Sequence, residues 1–192
     1  MESRIAILLL APLLPIIIGL AVRRPRASEY LNLLASVIVL GAALPLPFII
    51  DTPRELLHGY LLLDPLGAWV VMCVAIVYTL SSIYAIGYMR HDEAGERRLP
   101  VFYALLAGFA LSMLFAPLVN SIGVYWIAIE LTTLVSTFLV GFEQTPESME
   151  AAWKYIIVVS AGISLALLGT ALLYWGGSFV LGETYSLTWQ SL

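Results

Sequence analysis

The sequence predicts an all-α integral membrane protein that crosses the bilayer about six times. Three observations carry this. Of 192 residues, 61% are hydrophobic and 11% charged, where a soluble domain carries roughly 25% charge. The mean hydropathy is +0.95. The apolar residues also come in unbroken runs of about 20, the length of a spanning helix, whereas barrel strands are half as long and alternate. Inside lipid no water satisfies backbone polar groups, so such runs must be helices.

The runs place spans at Ile5–Val22, Tyr30–Ile50, Pro65–Met89, Pro100–Val119, Ile122–Phe142 and Ala151–Trp175. Arg23, Arg24 and Arg26 follow the first run in place of a small-residue cleavage site, so it reads as a retained helix and not a signal peptide. Pro45 and Pro47 kink or end the second span. Asp64-Pro65 starts the third as N-cap plus proline, and Pro100 starts the fourth in the same way. Only Asn120-Ser121 joins the fourth and fifth, which forces an antiparallel hairpin. The segment 176–192 reads as an interfacial tail, with Tyr185 and Trp189 at the headgroups, or as a loop.

Basic residues set the expected orientation. With the N-terminus outside, the inner side collects Arg23, Arg24, Arg26, Arg90, Arg97, Arg98 and Lys154, and the outer side keeps Arg4 and Arg54. An even number of spans then puts the C-terminus outside as well. The net charge of −4 argues against a nucleic-acid partner. The single cysteine, Cys73, rules out an internal disulfide and a cysteine-built metal site, and reads as a small buried hydrophobe in mid-span. His58 and His91 fall in loops on opposite sides and share no metal. The chain has no cofactor motif of its own.

Charge is expected to be absent from the first four spans. Glu130 stands near the middle of the fifth, where a carboxylate costs about 2.5–3.5 kcal/mol or more. A partner, water or protonation must offset that cost. Two readings follow: a proton-relay carboxylate, or a protonated side chain bonding another helix. Thr133 and Thr137 lie on its helical face at +3 and +7, with Trp126 at −4. The threonines either hold water beside the carboxylate or bond their own backbone. Lys154 is the only lysine against eight arginines, and lysine loses its proton far more readily than arginine. It is either a second relay group or a snorkelling side chain at the membrane surface. Ser160, Ser164, Gly162 and Gly169 read mainly as helix-packing residues.

The strings GVYWIAIELTTLVSTFLVGF and EAAWKYIIVVSAGISLALLGTALLY, with LLLDPLGAWVVMCVAIVYTLSSIYAIGYM before them, resemble the antiporter-like membrane subunits of respiratory complex I and the related Mrp cation/proton antiporters. IAIELTTL followed by TPESMEAAWKY is most like hydrogenase-4-type component F, a subunit of membrane-bound nickel–iron hydrogenases such as formate hydrogenlyase. The resemblance covers about residues 60–175 and, more loosely, the first two spans.

It implies the N-terminal part of the antiporter-like fold. Residues 1–99 would be three N-terminal helices, and 100–175 the first three helices of the first inverted repeat. Residues 176–192 would be an interfacial tail or the start of the loop before a seventh helix. Glu130 matches the family's fifth-helix glutamate, which modulates a pumping lysine. Lys154 matches a lysine at the start of the sixth helix, distinct from the pumping lysine on the broken seventh. The implied function is proton translocation, in part, within a redox-driven membrane complex of hydrogenase-4, formate hydrogenlyase or complex I type. Redox chemistry would then lie in other subunits, and another chain would supply the remaining helices. The implied location is a prokaryotic cytoplasmic membrane. Rival readings are a Mrp-type Na+(K+)/H+ antiporter subunit, a structural membrane subunit without transport, and an antiporter-like subunit of an inorganic-carbon uptake complex.

Overall fold

The computed structural model describes residues 1–21, 24–57, 59–89 and 98–181. Arg23, His58, Arg90, His91, Arg97, Tyr185 and Trp189 of the sequence reading lie outside these. Six helices or helix pairs among the described residues are long and apolar enough to cross a membrane: Glu2–Ala21, Pro25–Ile49, Pro65–Met89, Leu99–Leu118, Ile122–Val140 and Pro146–Phe179. The protein is a multi-pass integral membrane protein.

The first span is two helices, α1 (Glu2–Leu10) and α2 (Leu13–Ala21), where the sequence reading drew one. Pro12 in the intervening turn has no N–H to give and its ring opposes a straight helix. Pro45 acts in the same way as expected: α3 (Pro25–Ala43) gives way there to the single turn α4 (Leu46–Ile49). Asp64 caps α5 (Pro65–Met89), its Oδ1 accepting from the Gly67 N–H at 2.7 Å. Helix α6 (Leu99–Phe115) ends in a short 3-10 turn, η1 (Ala116–Leu118), and α7 (Ile122–Val140) returns antiparallel to it. Helix α8 runs from Pro146 to Leu181. It starts five residues before the sequence reading because Thr145 accepts from the Ser148 N–H and Pro146 takes the first helical position. It also continues through Gly176 and Gly177, because glycine is tolerated in a helix.

Between α4 and α5 the chain forms a hairpin, β1 (Arg54–Leu56) antiparallel to β2 (Leu61–Leu63), with Arg54 opposite Leu63. Leu57 and Gly59 take positive φ in its turn. The Asn120 amide donates to the Gly59 carbonyl at 2.9 Å and Leu61 bridges Val119, so the hairpin caps the α6–α7 connection.

Helix α6 is central and touches α1, α2, α3, α5 and α7. The main apolar core lies between α1, α3, α5 and α6 around Leu8, Val39, Val71 and Leu114, with Leu63 from the hairpin. The Gly19–Pro100 contact sets the α2–α6 approach: a Cβ on Gly19 would sit 2.5 Å from the Pro100 carbonyl oxygen. A buried polar seam joins α3 to α5. The Tyr78 hydroxyl donates to Asn32 Oδ1 at 2.7 Å, Asn32 Nδ2 to Ser82 Oγ at 2.9 Å, and Ser82 to the Tyr78 carbonyl. Every member has a partner, as a polar group out of water requires.

The first four apolar runs carry no charge, as expected, although Arg4 lies in α1 and the buried Glu29 in the second turn of α3, each just before its run. Both helices start several residues before the apolar runs do, since a helix need not begin where lipid begins. One expectation is corrected: Cys73 is exposed on the outer side of α5 and is not a core residue. Its neighbours Val71, Val74 and Ala75 take the inward face.

Candidate functional site

Helix α7 is uniformly apolar except for a stripe of hydroxyls and one carboxylate. Most hydroxyls are absorbed locally. Thr132 donates to the Ala128 carbonyl, Thr133 to Ile129 and Thr137 to Thr133, each one turn back. The two threonines named from the sequence therefore take the backbone-bonding alternative, although Thr133 is buried on the expected side of the helix.

Glu130 lies one residue from the middle of α7 and is half-buried. Its Oε1 accepts from Ser160 Oγ of α8 at 2.8 Å. Its second oxygen has no hydrogen bond among the described residues. Two further bonds join the same helices. Trp126 Nε1 donates to Thr170 Oγ1 at 3.1 Å, and the hydroxyls of Ser136 and Tyr155 meet at 3.0 Å. Three polar rungs thus cross the α7–α8 contact over about 15 Å of α7, with the carboxylate as the middle rung.

Lys154 is not brought to Glu130. It pairs with Glu150 one turn back on its own helix, and both side chains are largely exposed. Along α8 it lies six residues, roughly 9 Å, from Ser160. The partner that sequence reasoning missed is Ser160, which was assigned to packing. Counting equal rises from the turn near Glu143 puts Glu130 level with residues around 156, one turn from Ser160. That count was the available signal. Ser164 donates to the Ser160 carbonyl, and Gly162 and Gly169 face open space, so neither glycine packs against a helix among the described residues. Only one narrow stripe of α8 touches α7, and Ala152 is its one buried residue among those described. No group of three or more His, Cys, Asp or Glu that could hold a metal ion is found among the described residues.

Two family descriptions match the chain: "NADH-Ubiquinone oxidoreductase (complex I), chain 5 N-terminus" over residues 57–98, and "NADH:quinone oxidoreductase/Mrp antiporter, TM" over residues 119–188. A hydrogenase-4 component F homolog of Methylacidiphilum infernorum is 31% identical over 97% of the chain. The chain belongs to the complex I/Mrp antiporter-like family of membrane subunits, corresponding to its N-terminal part. It spans 40% of the length of that relative. The chloroplastic NAD(P)H-quinone oxidoreductase subunit 5 of Chara vulgaris is 34% identical over 67% of this chain and 19% of its own. Among solved structures, the archaeal membrane-bound sulfane sulfur reductase, a respiratory membrane complex, contains a chain matching 96% of this one. The TM-score is 0.76 at 18% identity, over 38% of that chain, which supports the fold alone. The Mrp complex of Dietzia sp. DQ12-45-1b matches 88% of this chain and 19% of its own, with a TM-score of 0.62 at 26% identity. Both are multi-subunit membrane complexes.

Proposed function

We propose that this antiporter-like subunit takes part in proton translocation within a redox-driven membrane complex of hydrogenase-4, formate hydrogenlyase or complex I type, with Glu130 as its charge-modulating relay residue. The observation that carries this reading is the half-buried Glu130 in mid-helix, held by one hydroxyl and with its second oxygen free for a proton or a further partner. Intramembrane ionisable groups are costly and are retained mainly where ions or protons pass. Lys154, at the Glu150 end of α8, belongs to the cytoplasmic approach to this path. Thr133 and Thr137 shape its wall and leave water to be held by Ser160 and the free carboxylate oxygen. Residues 100–175 form the transporting half-unit and 1–99 its scaffold, with further membrane subunits against the uncovered side of α8.

The test compares vesicles holding the complete complex with vesicles holding a complex purified without this chain. Electron transfer is expected to persist in both, with fewer protons moved per turnover when the chain is absent. The chain reconstituted alone should exchange neither Na+ nor H+. Unchanged proton stoichiometry without the chain would favour a structural subunit, and Na+/H+ exchange by the isolated chain would favour the Mrp-type reading.

The orientation belongs to the same proposal. Arg24, Arg26, Arg98 and Lys154 lie at the span ends opposite to Arg4 and Arg54, which supports a cytoplasmic side for them under the positive-inside rule. A reporter fused after Arg98 is expected to read cytoplasmic, and one after Leu192 periplasmic. The opposite pair of signals would reverse the orientation, and two matching signals would deny an even number of spans.

A further inference from the structure

On the exposed side of α5 and α6, lined by no residue of α7 or α8, an open groove of about 410 Å³ runs between the two helices. Leu80, Ser81, Tyr84 and Tyr88 line one wall, and Phe102 and Leu106 the other. The wall residues recur every four positions on each helix, so the groove follows the helix axes. It opens at the membrane face shared by the end of α5 and the start of α6. Arg98, the residue that precedes α6, lies one turn before Phe102 and so stands at the surface end of that wall. It is exposed and forms no ion pair among the described residues. Tyr84 and Tyr88 stack with their ring centroids 5.9 Å apart, forming a continuous aromatic wall. Along α5, from Leu80 to Tyr88, the groove covers roughly 12 Å of helix, close to the hydrocarbon depth of one leaflet, about 15 Å.

We propose that this groove seats an anionic phospholipid, with one acyl chain along the tyrosine wall and the phosphate at Arg98. An apolar slot of leaflet depth with a cation at its surface end, unpaired among the described residues, matches that shape and charge. A basic pocket between transmembrane helices is a known physical basis for headgroup selection. A single arginine near the surface should favour the anionic lipid about fivefold.

The test uses the complete complex with Cys73→Ser and Ser81→Cys in this chain, the new thiol carrying a benzophenone crosslinker. The complex is equilibrated with equal phosphatidylglycerol and phosphatidylcholine of matched chains. Illumination is expected to yield phospholipid adducts at residue 81, about fivefold richer in phosphatidylglycerol. Arg98→Gln should equalise the two lipids and Arg98→Lys should keep the preference. Should Arg98→Gln fail to assemble, raising salt from about 50 mM to about 500 mM must erase the preference in the parent complex. Equal labelling in the parent, a preference that survives Arg98→Gln or high salt, or adducts to a neighbouring polypeptide in place of lipid would each overturn the proposal.

Discussion

Glu130→Gln is expected to lower protons moved per turnover by roughly tenfold in the complete complex, while subunit content stays normal and electron transfer falls less. The substitution keeps shape and can still accept from Ser160 Oγ, the bond that now holds the carboxylate at 2.8 Å. What it removes is the charge. A carboxylate about 10 Å from a transported proton's site, at an effective dielectric constant near 20, stabilises that proton by about 1.7 kcal/mol, roughly 17-fold in occupancy. Glu130→Asp keeps the charge on a shorter stem and should be milder. Ser160→Ala separates the two roles of the rung. It deletes the hydrogen bond and leaves the charge, so a relay predicts a small change in stoichiometry and a helix-holding role predicts loss of assembly. Proton uptake in vesicles, with subunits quantified on the same sample, decides it. Normal pumping by Glu130→Gln, or disassembly by it, would make the residue structural.

Much of the fold was legible because lipid simplifies the code. A span must be helical and about 20 residues long, so apolar runs alone located six of them. Asp64-Pro65 and Pro45 carried their boundaries because their effects are local: one supplies a cap, the other removes an N–H. The hairpin at 54–63 escaped notice because its strands are three residues each, too short for an alternating pattern, and their stability comes from Asn120 and Val119 far along the chain. The break at Pro12 was also readable in principle, since proline opposes a straight helix, but the long apolar run around it dominated the reading.

At the site, Glu130 was visible because a charge in a membrane segment stands out in any composition count. Its partner was not, because Ser160 looks like any small residue of a packing face, and only the antiparallel register of α7 and α8 gives it a role. Lys154 stood out by rarity within the chain, and rarity says nothing about direction. The nearby Glu150, four residues back, satisfies it on the helix's own surface. Cys73 shows the same limit: a residue in an apolar helix can face the core or the lipid, and composition does not distinguish them.

Replacing Gly19 by leucine should be the most damaging single change in the scaffold. Glycines of this chain differ sharply in what a side chain would meet. At Gly19 a Cβ would lie 2.5 Å from the Pro100 carbonyl oxygen and 3.1 Å from the Ala104 Cβ. The obstacle is helix backbone, which cannot rotate away as a side-chain end can. Helix α2 must therefore move off α6, opening one of the broadest contacts of the bundle. Close approach through small residues is the principal means of joining helices where lipid offers no hydrophobic drive. Overpacking of this kind costs about 1–3 kcal/mol, sometimes more, which corresponds to a melting temperature roughly 3–10 °C lower for a chain of this size. Gly41, likewise in the last turn of its helix, has nothing within 4 Å of the same built atom. Gly41→Leu should leave stability unchanged or raise it, because leucine is the better helix former. The measurement is the temperature at which each gently solubilised variant leaves its monodisperse peak. Equal behaviour of the two leucine variants would mean that the α2–α6 approach is looser than the structure places it.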